Sequence, residues 1–153
     1  MDLAAIDPAR VLFGPDRIRL RNPQRGAMEH LDAVLAMDPD YRWIVGRKDV
    51  RPAEFWAAGH IPGRPLLPGV IMIEAAAQAS SFLMKEAIPE VRDKFVGFAG
   101  VDGVRFRETV EPGARLLIVV RVERLRSRLA VFAARVARDG RPVVEGRLLG
   151  SGG

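Results

Sequence analysis

From Val70 to Ala87 the chain runs without a proline or glycine. The segment VIMIEAAAQASSFLMKEA is apolar on nearly every side and rich in good helix formers. A helix that is hydrophobic all round belongs inside a protein. The sequence therefore predicts a helix over 70–87 that other elements must enclose. Lys85 in its last turn suits the helix dipole, and Pro89 lies just beyond its end. A single helix of this kind needs a curved sheet around it.

Such a sheet is legible on both sides of the helix. Residues 41–50, YRWIVGRKDV, are aromatic and β-branched and read as a strand. After residue 94 the pattern turns to strands over 94–107, 114–125, 128–139 and 141–150, broken at Glu111-Pro112-Gly113, Arg126-Ser127 and Asp139-Gly140. Asp-Gly between two alternating runs is a strong hairpin signal. Val104 and Phe106 alternate with Arg105 and Arg107, as a sheet buried on one face requires. The expected class is α+β, with the helix on one face of an antiparallel sheet and a second subunit completing its cover. Residues 53–57, after Pro52, suggest a short turn of helix. Residues 1–40 are mixed and proline-punctuated, and 150–153 form a small Gly/Ser tail. A length of 153 residues fits one domain, 1–153, with a core large enough to stand without staples.

Composition removes several classes of function. There is no cysteine, hence no disulfide framework, thiolate zinc site or cysteine nucleophile. No apolar run approaches the roughly 20 residues of a membrane span, and MDLAAIDPAR lacks the apolar stretch of a secretory signal. A soluble, cytoplasmic protein is expected. The net charge of +5 comes almost wholly from arginine, and residues 101–153 carry 11 Arg against 6 acids. Such a face can meet nucleic acid, an anionic membrane or an acidic protein, or simply be solvated.

Two residues stand out chemically. His60 opens the segment GHIPGRPLLPG, where residues 61–69 hold five Pro or Gly in nine, so this is a stiff loop. Rigid backbone is what positions a general base. Glu74 is the only acid between Ile61 and Lys85, and it lies on the apolar helix. A carboxylate there must be neutral, paired or hydrogen-bonded, unless it reaches a surface strip. Gln78, four residues on, shares its face and can bond to it. Desolvation raises a carboxyl pKa and makes a proton donor available near neutral pH, where histidine is a base. That pair suits elimination or hydration at a C–O bond. Pro68-Gly69 precedes Val70, so the free first-turn N–H groups can polarise a carbonyl oxygen, with no side chain on Gly69 in the way.

The run GHIPGRPLLPGVIMIEAAAQA resembles the signature of the β-hydroxyacyl-acyl-carrier-protein dehydratases, a hotdog-fold family of fatty-acid synthesis, matching without a gap from Gly59 to Gln78. Pro23, Arg25, Asp32, Val34 and Leu35 also match, as do FAGVDGVRFRETVEPGARL (98–116) and VARDGRPVVEG in the closing hairpin. The resemblance covers about residues 20–149. It implies a hotdog fold, five to six antiparallel strands wrapped round one central helix. It implies that His60 removes the α-proton of a 3-hydroxyacyl thioester and that Glu74 protonates the departing hydroxyl. By the same resemblance, Gly69 and Val70 at the helix start bind the thioester carbonyl, the Leu66 carbonyl fixes the His60 ring, and Gln78 orients Glu74. No metal and no cofactor are expected, since the substrate rides on the phosphopantetheine of an acidic acyl carrier protein. A homodimer follows, each site taking its two catalytic residues from opposite protomers, with a trimer of dimers as a common further assembly.

The chain departs from the pattern at Gln24-Arg25-Gly26-Ala27-Met28, where the family has His-Arg-Tyr-Pro-Phe. Ile61 replaces a usual phenylalanine, and Gly97 stands where some members carry a gating tyrosine. His30 replaces an apolar residue and reads as structural or exposed. Two other readings compete with the dehydratase. A hotdog thioesterase would use a carboxylate and a helix N-terminus without His60, and a non-catalytic subunit would only hold an acyl chain. Nucleic-acid binding is not expected, since no aromatic residues interleave with the arginines.

Overall fold

The computed structural model describes residues 1–153. A short helix α1 (Pro15–Arg19) precedes the long helix α2 (Gly69–Ala87). Six strands form one antiparallel sheet: β1 (Ala33–Met37), β2 (Trp43–Asp49), β3 (Val96–Phe106), β4 (Arg115–Leu125), β5 (Ala130–Arg138) and β6 (Arg141–Gly152). Their order is β1-β2-β4-β5-β6-β3. The sheet curls round α2, which is the hotdog arrangement expected of the sequence.

Packing explains why α2 is apolar all round. Ala79, Phe82, Leu83 and Met84 are fully buried, and with Ile44, Ile118, Phe132 and Val143 of the sheet side they belong to one core. The N-terminal segment closes the remaining side. Phe13 lies against Phe82 with ring centroids 5.7 Å apart, and Arg17 and Arg21 both pair with the buried carboxylate of Glu86. The Lys85 ammonium donates to the Arg21 carbonyl at 2.9 Å. The polar end of an otherwise apolar helix is thus satisfied by the preceding chain, as buried charge requires.

Several expectations change in detail. Residues 53–57 form a run of turns, not helix, since the chain there is committed to leading into the His60 loop. β1 was not expected: AVLAM is alanine-rich, with weak strand propensity. It becomes a strand because β2 pairs with one edge while Phe13 bridges to Val34 on the other. The Gly/Ser tail is the end of β6. Gly152 donates to the Ser127 carbonyl at 2.9 Å, and a Cβ there would stand 2.7 Å from Val91, so glycine is required for close packing. At the β5–β6 hairpin, Asp139 and Gly140 have φ of 51° and 77°, the two positive values of a type I′ turn.

Truncating Phe82 to alanine would empty the centre of this core. Loss of a buried phenylalanine costs about 3–5 kcal/mol, which in a domain of this size lowers Tm by roughly 10 °C. A thermal melt of Phe82→Ala followed by circular dichroism checks this; an unchanged Tm would mean that the ring is not core.

Candidate active site

The two residues singled out in the sequence occupy different places in one chain. Glu74 lies in the second turn of α2, half-buried, in a cavity of about 390 Å³. Val70, Ile73, Ala77, Gln78 and Ser81 line it from the same helix face, and Phe95–Phe98, Val101 and Leu148 line it from the sheet. That volume falls within the range of small-ligand pockets. The lining is mainly apolar, so burial raises the Glu74 pKa above its ordinary value, an effect that Gln78 only partly offsets. The slot thus favours the protonated form of the carboxyl.

Gln78 is held in turn. Its amide oxygen accepts from the main-chain N–H groups of His30 (2.9 Å) and Leu31 (3.2 Å), and its amide nitrogen donates to the Met28 carbonyl at 2.7 Å. One amide hydrogen remains to face Glu74. Of the altered segment 24–28, Met28 thus fastens the residue beside Glu74 through its carbonyl, and Gln24 lines the cavity.

His60 is exposed, on the stiff loop between Trp56 and Leu67, and no residue of that loop lines the Glu74 cavity. Its ring is nonetheless oriented. Nδ1 lies 2.9 Å from the Leu66 carbonyl oxygen. A carbonyl only accepts, so Nδ1 carries the proton and Nε2 keeps its lone pair. The loop is anchored at both ends, by His60 N–H to the Trp56 carbonyl (2.9 Å) and Leu67 N–H to the Val110 carbonyl (2.8 Å).

Gly69 opens α2, capped by Pro68 with no side-chain hydrogen bond; the Ile71 N–H donates to the Pro68 carbonyl at 3.0 Å, and the Gly69 and Val70 N–H groups stay available. An added Cβ at Gly69 would fall 2.3 Å from the Phe106 ring, so only glycine fits beneath it. Phe106 faces the helix side as its alternation suggested, yet it is 54% exposed, because β3 overruns the cover of α2 there. Val70 is 65% exposed beside it. Of the cavity residues on β3 only Gly97 was singled out in the sequence; Val96, Phe98 and Val101 were missed, because their strand could be read but not the helix turn it would face. The i, i+4 and i+7 spacing of Glu74, Gln78 and Ser81 was the available signal for Ser81.

The chain matches the family model of the FabA-like domain over residues 22–147. It belongs to the FabA-like family. Curated relatives within reach include the 3-hydroxyacyl-[acyl-carrier-protein] dehydratase FabZ of Roseiflexus sp. (strain RS-1), 38% identical over 127 residues, covering 83% of this chain and 87% of the relative. The FabZ of Albidiferax ferrireducens is 40% identical over 128 residues, covering 82% and 85%. Among solved structures, the dehydratase heterocomplex ApeI:P from Xenorhabdus doucetiae superposes with a TM-score of 0.74 at 19% identity, over 89% of this chain and 90% of that one. A thioesterase from Pseudomonas aeruginosa gives a TM-score of 0.60 at 18% identity, over 77% and 78%. These last two speak for the fold alone.

The raised Glu74 pKa has a consequence for stability. A group whose pKa is higher folded than unfolded contributes stability below its unfolded pKa and loses it as pH rises through the folded one. Glu74→Gln should therefore melt above the wild type at pH 8, and the gap should close below the ordinary carboxyl value of 4.5. Parallel melting curves across that range, with no change in the gap, would place Glu74 in water.

Proposed function

We propose that this FabA-like protein is a 3-hydroxyacyl-acyl-carrier-protein dehydratase of fatty-acid biosynthesis, a hydro-lyase that forms trans-2-enoyl thioesters. The observation that carries the reading is the protonatable Glu74 in an apolar cavity, together with an imidazole whose free nitrogen is set by Leu66. His60 Nε2 takes the α-proton, and the charge that develops on the thioester oxygen is held by the Gly69 and Val70 N–H groups. The C3–O bond breaks as Glu74 gives its proton to the leaving hydroxyl, which departs as water. Proton gained by His60 and proton lost by Glu74 balance over the turnover. Gln78 orients Glu74. The reaction needs no metal and no cofactor beyond the carrier's phosphopantetheine.

His60 and Glu74 meet only if a second copy is added, and the sheet edge indicates where. β3 is a terminal strand of 11 residues with its outer edge unpaired, and Val101, 45% exposed, and Phe106 lie along it. Long unpaired edges with apolar side chains invite another strand. β3 also walls the Glu74 cavity, so a partner joined there arrives at the site. We assign the protein as a homodimer, with a trimer of such dimers as a further assembly. The unpaired arginines of residues 105–135 suit an acidic carrier protein. No helix is long and apolar enough to cross a membrane; the cytoplasm, where the carrier is found, is the assigned compartment.

Hydration of crotonyl and longer enoyl thioesters, followed by absorbance, tests the reading. His60→Ala and Glu74→Gln should each reduce turnover by about 10²-fold or more. Free thiol released without enoyl chemistry would select a thioesterase, and tight acyl binding without turnover a carrier subunit.

A further inference from the structure

Among the large side chains wholly buried in this protein is a lysine. Lys48, on β2, is 1% exposed, and its ammonium bonds two groups at once: the Glu54 carboxylate at 2.9 Å and the His30 Nδ1 at 3.1 Å. Neither group belongs to the cavity described above. A buried ammonium is costly unless it is paired and fully bonded, so this cluster calls for a reason.

Its chemistry fixes the state of each member. An ammonium has three donors and no acceptor, so His30 Nδ1 must present its lone pair and the ring must be neutral. Burial, then the nearby Lys48 charge, push the His30 pKa down against the weaker pull of Glu54 and Asp32. Burial pushes Glu54 up, but the Lys48 bond, the Arg51 N–H and the Lys48 charge outweigh it, and the carboxylate stays ionised.

Its connections give the reason. The second oxygen of Glu54 accepts the Arg51 N–H at 2.8 Å, and the Glu54 carbonyl accepts the Ala57 N–H at 3.0 Å. The buried Trp56 follows, its carbonyl takes the His60 N–H, and its indole N–H faces the Glu54 carboxylate without a full hydrogen bond. Residues 51–60 form turns with no strand or helix to hold them. The Lys48–Glu54 bond ties β2 directly to this segment, beside the Arg51–Asp32 ion pair at its start and the packing of Trp56 in the core.

We propose that Lys48, Glu54 and His30 form a positioning cluster for catalysis: Lys48 carries the rigidity of β2 into the turn segment, Glu54 receives it, and the neutral His30 ring accepts from a second ammonium donor. The cluster touches no substrate. It acts through His60, by keeping the imidazole on the Leu66 carbonyl. The proposal rests on His60 being the base. An error of about 1 Å in a reacting group can cost 10²-fold in rate, so the turn segment that leads into the loop gains from such an anchor.

The test uses the full-length protein and the enoyl-thioester assay. Glu54→Ala should lower kcat about tenfold or more with KM within about twofold, because positioning is lost and binding is not. Glu54→Gln should recover much of kcat, since its single amide oxygen still accepts from Lys48, although its NH2 group, a donor, cannot replace the oxygen that takes the Arg51 N–H. Glu54→Asp keeps the charge but not the reach; it should fall between the two, and it carries the test if the alanine variant does not fold. His30 and His60 are the only histidines, so a nitrogen-15 imidazole spectrum shows both rings without any turnover. The wild type should show His60 with its proton on Nδ1 and His30 neutral well below the ordinary histidine range. Glu54→Ala should broaden or shift the His60 signals while Glu54→Gln preserves them. A folded Glu54→Ala or Glu54→Asp protein with wild-type kcat and an unchanged His60 spectrum would overturn the cluster's role. If His60→Ala itself keeps full turnover, the catalytic reading has failed, and not this one alone.

Discussion

The arrangement of this protein turns on one carboxyl group half withdrawn from water. Glu74 lies on a helix whose other faces bury phenylalanine, leucine and methionine, and the fold offers it no cation. A carboxylate stranded in such surroundings answers by holding its proton. On the proposed reading the same apolar wall that tunes the acid would also receive the acyl chain. With Glu74 moved to the solvent face, that reading predicts a fold little changed and an enzyme without its acid.

The base of the proposed reaction is built on the opposite plan. His60 is exposed and is oriented by backbone alone: a carbonyl for one ring nitrogen, prolines and glycines for the loop, and a buried ion pair at the loop's foot. Exposure in a single chain makes sense if the imidazole is meant to enter a neighbour's cavity. The free edge of β3, the exposed Phe106 and Val70, and the cavity behind them all lie where such a neighbour would sit. The rest of the sheet gives the neighbour no comparable edge, because Phe13 occupies the far side of β1.

Much of this could be read in advance, for identifiable reasons. The long helix was plain because a breaker-free apolar run admits few alternatives, and the Asp139-Gly140 hairpin because its dipeptide has one favoured geometry. His60, Glu74 and Gln78 were legible because each is a polar anomaly in its setting. β1 was not, since five residues of weak strand propensity are made a strand by their neighbours. The Gly152 tail looked loose because sequence does not show that Val91 and Ser127 press against it. The partners of Gln78 were also hidden: the backbone of 28–31 meets it across some 50 residues of chain. Lys48 gave no sign of burial, since a strand pattern with one lysine reads as a solvated position until Glu54 and His30 are seen around it.

A site shared between two copies is tested most directly by mixing two defective proteins. His60→Ala and Glu74→Gln chains are each inactive alone, yet a mixed dimer restores one intact His60–Glu74 site. After unfolding and co-refolding at equal amounts, half of the dimers are mixed and half of their sites are whole, so activity should return to about a quarter of the wild type. A mixture no more active than its two parents would show that imidazole and carboxyl do not meet across the dimer, and the mechanism would be wrong.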